Sequence, residues 1–152
     1  MRVPGEVSLS TILSELDLVK AYADAAGVAV DGSLLAPDRL ILYVTFQNRQ
    51  GELFWVEIEC QDYPLYPPMV EFVSENRSER GTKKLYPAGF HPTPCVCMRY
   101  NRKAYRDRGG PHGDWRFLDW KLPTANGVAI DSLCMIISDL DAKIRSSAGR
   151  MA

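Results

Sequence analysis

The sequence contains no apolar run of the length that a signal peptide or a membrane-spanning helix requires. Its N-terminal stretch, MRVPGEVSLSTILSELDL, is interrupted by the acidic side chains of Glu6, Glu15 and Asp17. We therefore expect no secretory leader and no membrane partner. This pattern is typical of a soluble cytoplasmic protein.

Neither sign of charge is in excess. Eighteen Lys and Arg residues face nineteen Asp and Glu residues, which gives a net charge of −1. A balanced chain exerts no long-range attraction on nucleic acid or on anionic lipid. The sequence therefore predicts no nucleic-acid partner, and any function of basic side chains must be local.

Cysteine is scarce, with four residues in the chain: Cys60, Cys95, Cys97 and Cys134. A chain of 152 residues buries a sizeable core without disulfides, and thiols stay reduced in the cytoplasm. Two cysteines separated by one residue are also poorly placed for an ordinary structural disulfide. Because no repeat or long linker divides the chain, we predict a single domain over residues 1–152 with reduced cysteines.

Apolar residues near the N-terminus recur with helical spacing and predict an amphipathic helix over residues 8–26. Ser8 or Ser10 is the expected cap, and Gly27 is the expected end. The predicted buried face consists of Leu9, Ile12, Leu13, Leu16, Val19 and Ala23.

β-Branched and aromatic residues then predict strands over 39–47 and 52–60, paired antiparallel across a turn that Asn48 and Gly51 suit. A third strand is expected at PMVEFVS, after a proline-rich connection, QDYPLYPP, that excludes regular strand pairing.

The chain becomes polar and irregular after Glu75, and helical periodicity returns only over residues 128–146. Pro123, Thr124 and Asn126 are the expected start signals of this last helix. The order helix, antiparallel strands, irregular segment, helix predicts an α+β domain.

Three motifs carry a resemblance to a known family: YPLYPPMVEF at 63–72, FHP at 90–92 and VCM at 96–98. In this order, with a tryptophan and an apolar helix behind them, they resemble the motifs of ubiquitin-conjugating enzymes. The resemblance covers roughly residues 8–146. It implies the fold of that family, with an N-terminal helix, an antiparallel four-stranded meander, an irregular active-site segment and a C-terminal helix.

The resemblance also implies an activity. A ubiquitin-conjugating enzyme accepts the C-terminus of a ubiquitin-like protein as a thioester and passes it to an amine of a target protein. Sulfur suits this reaction because a thiolate is both a good nucleophile and a good leaving group. The expected partners are the ubiquitin-like modifier, its activating enzyme and the target, and we expect no cofactor.

Cys97 is the thiol that the resemblance assigns to catalysis, because Val96 and Met98 flank it as apolar residues do in the family. Cys95 points the same way in extended backbone. It is open whether Cys95 is a mere neighbour, a second acyl acceptor or an oxidation partner. The alternative interpretation is that both thiols are small apolar core residues.

The resemblance gives His91 a bracing role, through a bond from its side chain to the backbone of the active-site loop. The family's following asparagine, which stabilises the oxyanion, is replaced here by Thr93. Thr93 and Asn101 are the two candidate donors in its place. Asp114 or Asp119 is the candidate for orienting or deprotonating the incoming amine.

Several features remain open. The basic run Arg99, Arg102, Lys103, Arg106 and Arg108 docks an acidic partner or, as we favour, keeps the loop solvated. Trp115 and Trp120 cap the site or fill the core. No role is expected of His112.

The intervals between the motifs depart from the family pattern. They are longer between Pro68 and His91, shorter between His91 and Cys97, and longer between Cys97 and the tryptophans. Such changes favour a divergent branch like the ubiquitin-conjugating-like proteins of bacterial gene clusters, for which a role in antiviral defence is one expectation.

Two rival functions are weighed against this one. A non-catalytic binding module of the same fold would lack the cysteine, so the VCM triplet argues against it. A metal site built from His91, Cys95 and Cys97 with His112 or Cys60 is disfavoured, because a single Cys-x-Cys pair lacks the spacing of zinc knuckles.

Overall fold

The protein was analysed as a computed structural model, which describes residues 2–108, 116–123 and 127–152. The elements in chain order are α1 Gly5–Ala26, β1 Ala29–Asp31, β2 Ile41–Gln47, β3 Leu53–Glu59, β4 Met69–Val73, α2 Arg102–Arg108 and α3 Leu133–Arg145. Two short 3-10 turns cover Lys83–Leu85 and Phe117–Asp119.

The four strands form one antiparallel sheet in the order β1-β2-β3-β4, with each strand hydrogen-bonded to the next. The predicted hairpin between β2 and β3 is confirmed. The side-chain oxygen of Asn48 accepts hydrogen bonds from the backbone of Gln50 and Glu52, and Gly51 takes the positive φ of 81° that a side chain would disfavour. The α+β class and the four-stranded meander are thereby confirmed.

One face of the sheet carries the core. Directly paired residues in antiparallel strands share a face, so the pairs Leu42–Ile58 and Val56–Phe72 mark the same side. Helices α1 and α3 contact each other and supply the covering apolar layer. Its fully buried members include Ile12, Val19, Leu133, Ile136, Ile137, Leu140 and Ile144.

Helix α1 begins at Gly5, before the predicted start at residue 8, because the carbonyl of the N-cap residue Pro4 already accepts from the backbone N–H groups of Val7 and Ser8. A β-carbon at Gly5 would collide with the carbonyl oxygen of Pro37, so only glycine fits this approach. Ser8 is not a cap: it is buried inside the helix and its hydroxyl donates to the Tyr63 carbonyl at 2.6 Å. Leu13 is half exposed, contrary to the prediction that it belongs to the buried face.

The end of α1 is confirmed, since Gly27 adopts left-handed backbone with φ of 72°. Helix α3 begins later than predicted, at Leu133, because the hydroxyl of Ser132 caps it by accepting from the backbone of Met135. Pro123 therefore lies well before the helix. Thr124 and Asn126 lie outside the described residues. Across the part of the chain that the structure describes, no helix is both long and apolar enough to cross a membrane.

Candidate functional site

Residues 89–98, which lie between β4 and α2 in the chain, form a small pocket against α3. Its volume is about 120 Å³. The pocket is lined by Gly89, Phe90, His91, Cys95, Val96, Cys97, Met98 and Lys143. The fold thus brings two of the motifs singled out in the sequence, FHP and VCM, to one surface.

Backbone hydrogen bonds hold both sides of the loop that carries Cys97. On the upstream side, the Cys95 N–H donates to the His91 carbonyl at 3.2 Å. Around Cys97 itself, the Met98 N–H donates to the buried Val96 carbonyl at 3.0 Å, which closes a tight turn with Cys97 at its centre. The sulfur of Cys97 is therefore attached to a fixed piece of backbone.

The four thiols differ in burial, and none forms a disulfide. Cys97 is partly exposed at the pocket, whereas Cys95 is only 3% exposed although it lines the same pocket. Cys60 is fully buried, and this burial raises the pKa of its thiol well above the ordinary range. Burial also raises the pKa of Cys134. Among the four, Cys97 is the thiol that combines exposure with a place in the pocket.

His91 and Thr93 are exposed and bonded to each other, with 2.9 Å between the histidine Nδ1 and the threonine Oγ1. The bracing bond expected from the His91 ring to backbone is thus replaced by a bond to a side chain. The brace itself comes from the His91 carbonyl, which accepts from Cys95. Thr93 is linked to the pocket through its bond to the His91 ring, since His91 is one of the lining residues.

Asn101 has a different place from the one expected. It is fully buried, and its amide group donates to the carbonyls of Val96 at 2.8 Å and Val70 at 3.2 Å. Its oxygen accepts from the backbone of Val70 and Lys103. Because both amide hydrogens are used, Asn101 has none to offer an oxyanion, and the expectation that it is such a donor is wrong. It ties the Cys97 loop to β4.

Asp119 lies at the end of the 3-10 turn Phe117–Asp119 and is exposed. The guanidinium of Arg99, two residues after Cys97, donates to the backbone carbonyls of Asp119 and Leu122 at 3.0 and 3.4 Å. The structure therefore links the Asp119 segment to the loop of Cys97. The alternative candidate Asp114, like His112 and Trp115, lies outside the described residues.

The first three cations of the basic run that follows Cys97 form hydrogen bonds and ion pairs with the rest of the protein, contrary to the prediction of a solvated loop. Besides the bonds of Arg99, Arg102 donates to the Gln61 carbonyl at 2.9 Å and pairs with Asp62 at 3.6 Å. Lys103 pairs with Glu71 of β4 at 3.3 Å. These three cations fasten the segment to the sheet and its connections. The side chains of Arg106 and Arg108 lie outside the described part.

Of the two candidate tryptophans, Trp120 fills the core. It is 2% exposed, packs on the ring of Tyr63 with centroids 6.1 Å apart, and donates from its indole nitrogen to the Pro64 carbonyl. The proline-rich motif and the segment after α2 are joined through this contact.

Lys143 is the residue of the pocket that the sequence did not indicate. Its ammonium lies 2.7 Å from both carboxylate oxygens of Asp139, one turn earlier on α3. The same carboxylate accepts a bond of 2.8 Å from the hydroxyl of the buried Tyr100. This chain of contacts joins α3 to the loop of Cys97. Only the spacing of Asp139 and Lys143, favourable for a helical ion pair, was visible in the sequence.

Within residues 2–108, 116–123 and 127–152, no group of three or more His, Cys, Asp and Glu side chains is placed to hold a metal ion. Comparison of the chain with protein-family models, with curated proteins and with solved structures gives no match. The pocket presents a partly exposed thiol, Cys97, on a hydrogen-bonded turn. This arrangement suits nucleophilic chemistry at sulfur.

Proposed function

We propose that this protein carries a ubiquitin-like protein as a thioester on Cys97 and transfers it to an amine of a target protein. The observation that carries the proposal is the position of Cys97, a partly exposed thiol in the pocket formed by residues 89–98 and α3. The ubiquitin-conjugating motifs of the sequence supply the identity of the cargo. We further propose that the chain has the fold of that family.

The reaction proceeds in two balanced steps. The Cys97 thiolate attacks the thioester carbonyl of the modifier on its activating enzyme, forms a new carbon–sulfur bond and releases the cysteine of the activating enzyme as a thiolate. A target amine then attacks the same carbonyl, the bond to Cys97 breaks, and the proton lost by the amine accompanies the departing sulfur. Energy enters at the activating enzyme, so no cofactor is required of this protein.

The held loop supports the proposal because both steps join large molecules. Fixing the acyl group in one orientation lowers the entropic cost of such an encounter. The turn centred on Cys97 and the amide of Asn101 keep the backbone around the sulfur in one conformation. A thiol on a fraying terminus would lack this advantage.

Two further residues have proposed roles. Thr93 is the remaining candidate for a hydrogen bond to the thioester oxygen, since it is an exposed residue and both amide hydrogens of Asn101 are used. Asp119 is the described candidate for orienting the amine, because Arg99 holds its backbone and no bond or ion pair of its carboxylate occurs among the described residues.

A trapping experiment separates this enzyme from a binding module of the same fold. A ubiquitin-like protein from the same genome is incubated with its activating enzyme, ATP and the Cys97→Lys variant. An enzyme that uses position 97 gives a covalent conjugate that resists reductant, whereas a binding module gives only a non-covalent complex. The matched control, Cys134→Lys, places the amine at another partly exposed thiol position. Equal conjugation of both variants, or of neither, contradicts the proposal.

The proposal extends to the biological setting of the protein. An activating enzyme and a deconjugating peptidase encoded beside this gene would place the protein in a bacterial modification pathway, with antiviral defence as the proposed role. Deleting the gene from such a cluster should then abolish phage resistance, as should Cys97→Ala.

A further inference from the structure

We infer that residues 147–151, which follow α3, fix one wall of the Cys97 pocket, and that Arg150 is the residue that positions them. The wall consists of Gly89 and Phe90, which line the pocket on its upstream side. The attachment of this wall is a property of the fold and requires no modifier. Its use in acyl transfer, where the pocket must present the sulfur of Cys97 in one geometry, rests on the proposed function.

The segment after α3 pairs with the chain just before the wall. The Ala88 N–H donates to the Gly149 carbonyl at 2.7 Å. The Met151 N–H donates to the Tyr86 carbonyl at 2.8 Å, which completes a short antiparallel pairing. The Ala88 carbonyl accepts from the hydroxyl of Ser147, also at 2.7 Å. Both backbone groups of Ala88 are therefore bonded to this segment.

The pairing reaches the wall because the wall begins at the next residue. Gly89 has no side chain, so its position depends on Ala88 before it and Phe90 after it. Phe90 packs edge-on against the ring of Phe72 on β4 and against the fully buried ring of Tyr86, with centroids 5.3 and 6.4 Å apart. The wall is thus attached to the sheet on one side and to the segment after α3 on the other.

Arg150 fastens this segment to the β2–β3 hairpin. Its guanidinium donates to the Glu52 carboxylate at 2.8 Å and to the Leu53 carbonyl at 2.9 Å. It also lies over the ring of Phe54, with 4.7 Å between its central carbon and the ring centroid. A planar guanidinium with two bonded nitrogens and a ring face beneath it allows few orientations. Arg150 therefore fixes the register of the segment against the sheet.

Two thiols report on the state of the wall. Cys95 lines the pocket together with Gly89 and Phe90 and is 3% exposed. Cys60 is fully buried in the hydrophobic core, so reagents reach it only when the core itself opens. Local opening of one part of a protein can occur without global unfolding. Release of the wall should therefore expose Cys95 and leave Cys60 protected.

The test measures labelling of the folded protein by N-ethylmaleimide, with peptide mapping and fragment ions that distinguish Cys95 from Cys97. Arg150→Glu replaces the attraction to Glu52 by repulsion, and Cys95 should label roughly three- to tenfold faster while Cys60 stays protected. Arg150→Lys keeps the ion pair and should accelerate labelling less. The charge swap Glu52→Arg with Arg150→Glu should restore most of the protection.

Arg77→Glu is the matched control. Arg77 also pairs with a carboxylate, that of Asp31, at 2.8 Å, and also lies over an aromatic ring, that of Tyr43. Its side chain is 35% exposed, as is that of Arg150. Because Arg77 lies outside the pairing that leads to the pocket wall, its reversal should leave the labelling of Cys95 unchanged.

Unfolding midpoints check that each variant is folded, and Arg150→Gln, with a smaller expected acceleration, replaces the glutamate variant if that one is not. Unchanged labelling of Cys95, a parallel rise at Cys60, or equal acceleration by Arg77→Glu or Arg150→Lys overturns the inference. The proposed function fails separately, if Cys97 of the unmodified protein accepts no modifier. Where Cys97 does accept it, Arg150→Glu should slow this loading, and unslowed loading overturns the use of the wall in acyl transfer.

Discussion

Asn101 and Val70 are joined by two hydrogen bonds, one from the Val70 N–H to the asparagine oxygen at 2.9 Å and one from the asparagine amide to the Val70 carbonyl at 3.2 Å. The side chain of Asn101 thus pairs with β4 as a neighbouring strand would. A third bond, to the Val96 carbonyl, extends this pairing to the residue before Cys97. The sheet and the candidate site are connected through one buried amide.

Replacing Asn101 by alanine should therefore destabilise the protein. The change removes both bonds to the backbone of buried Val70 and one of the two bonds to the Val96 carbonyl, which keeps its bond from Met98. Each buried backbone group left unpaired costs about 1–3 kcal/mol. We expect the free energy of unfolding to fall by about 2–4 kcal/mol, measured by urea denaturation. Asn76→Ala is the control, because Asn76 makes its described bonds on an exposed turn. A loss of activity with unchanged stability would contradict the structural role.

The thiols should label in an order set by burial. In the folded protein, N-ethylmaleimide should react first with Cys97 and last with Cys60, because Cys60 is fully buried and burial raises the pKa of its thiol. Cys134 should be intermediate, and Cys95 should stay protected. Peptide mapping after timed quenching gives the order. Labelling of Cys95 ahead of Cys97 would contradict the burial of the two thiols described here.

Glu57 should make the protein sensitive to acid. Burial raises the pKa of this carboxyl, but hydrogen bonds from Arg80 and Tyr43 outweigh it and hold the pKa below its ordinary value. A lowered pKa means that the folded state binds the proton less readily than the unfolded state. The stabilisation is thus present above the ordinary pKa and is lost as pH falls through the folded one.

Glu57→Gln should accordingly lower stability at neutral pH, by roughly 1 kcal/mol or less because Arg80 is half exposed. It should also flatten the dependence of the unfolding midpoint on pH between about 5 and 3. Thermal unfolding across that range measures both effects. Glu79→Gln, at an exposed pair with Lys84, serves as the control. An unaltered slope in Glu57→Gln would show that this carboxyl does not carry the effect.

Local patterns predicted the elements of the fold well, since hydrophobic period and turn chemistry act over few residues. Asn48 and Gly51 fixed the hairpin as expected, and the helical period found Ile12, Val19 and Ala23. Leu13 was wrongly assigned to the core because the buried face of α1 is narrower than the arc over which its apolar residues are spread. Ser8 was misplaced because the contact that buries it comes from Tyr63, far along the chain.

For the candidate site, the sequence predicted only the contacts between residues that are close together in the chain. FHP and VCM lie within one short segment, so their meeting in a pocket follows from chain connectivity. The role of Asn101 depends on β4, and the presence of Lys143 depends on how α3 docks through Tyr100 and Asp139. The contact between Asn101 and Val70 and the contact between Tyr100 and Asp139 join residues far apart in the chain, so no local pattern in the sequence predicts them.

The most direct measurement of the central claim is the intact mass of the protein after incubation with a ubiquitin-like protein, its activating enzyme and ATP, before and after reductant. We expect one added modifier that reductant and hydroxylamine remove. Cys97→Ser should give an oxyester that survives reductant, and Cys95→Ser should still form the thioester. An adduct that persists as a thioester in Cys97→Ser, or one that is lost only in Cys95→Ser, would contradict the assignment of Cys97.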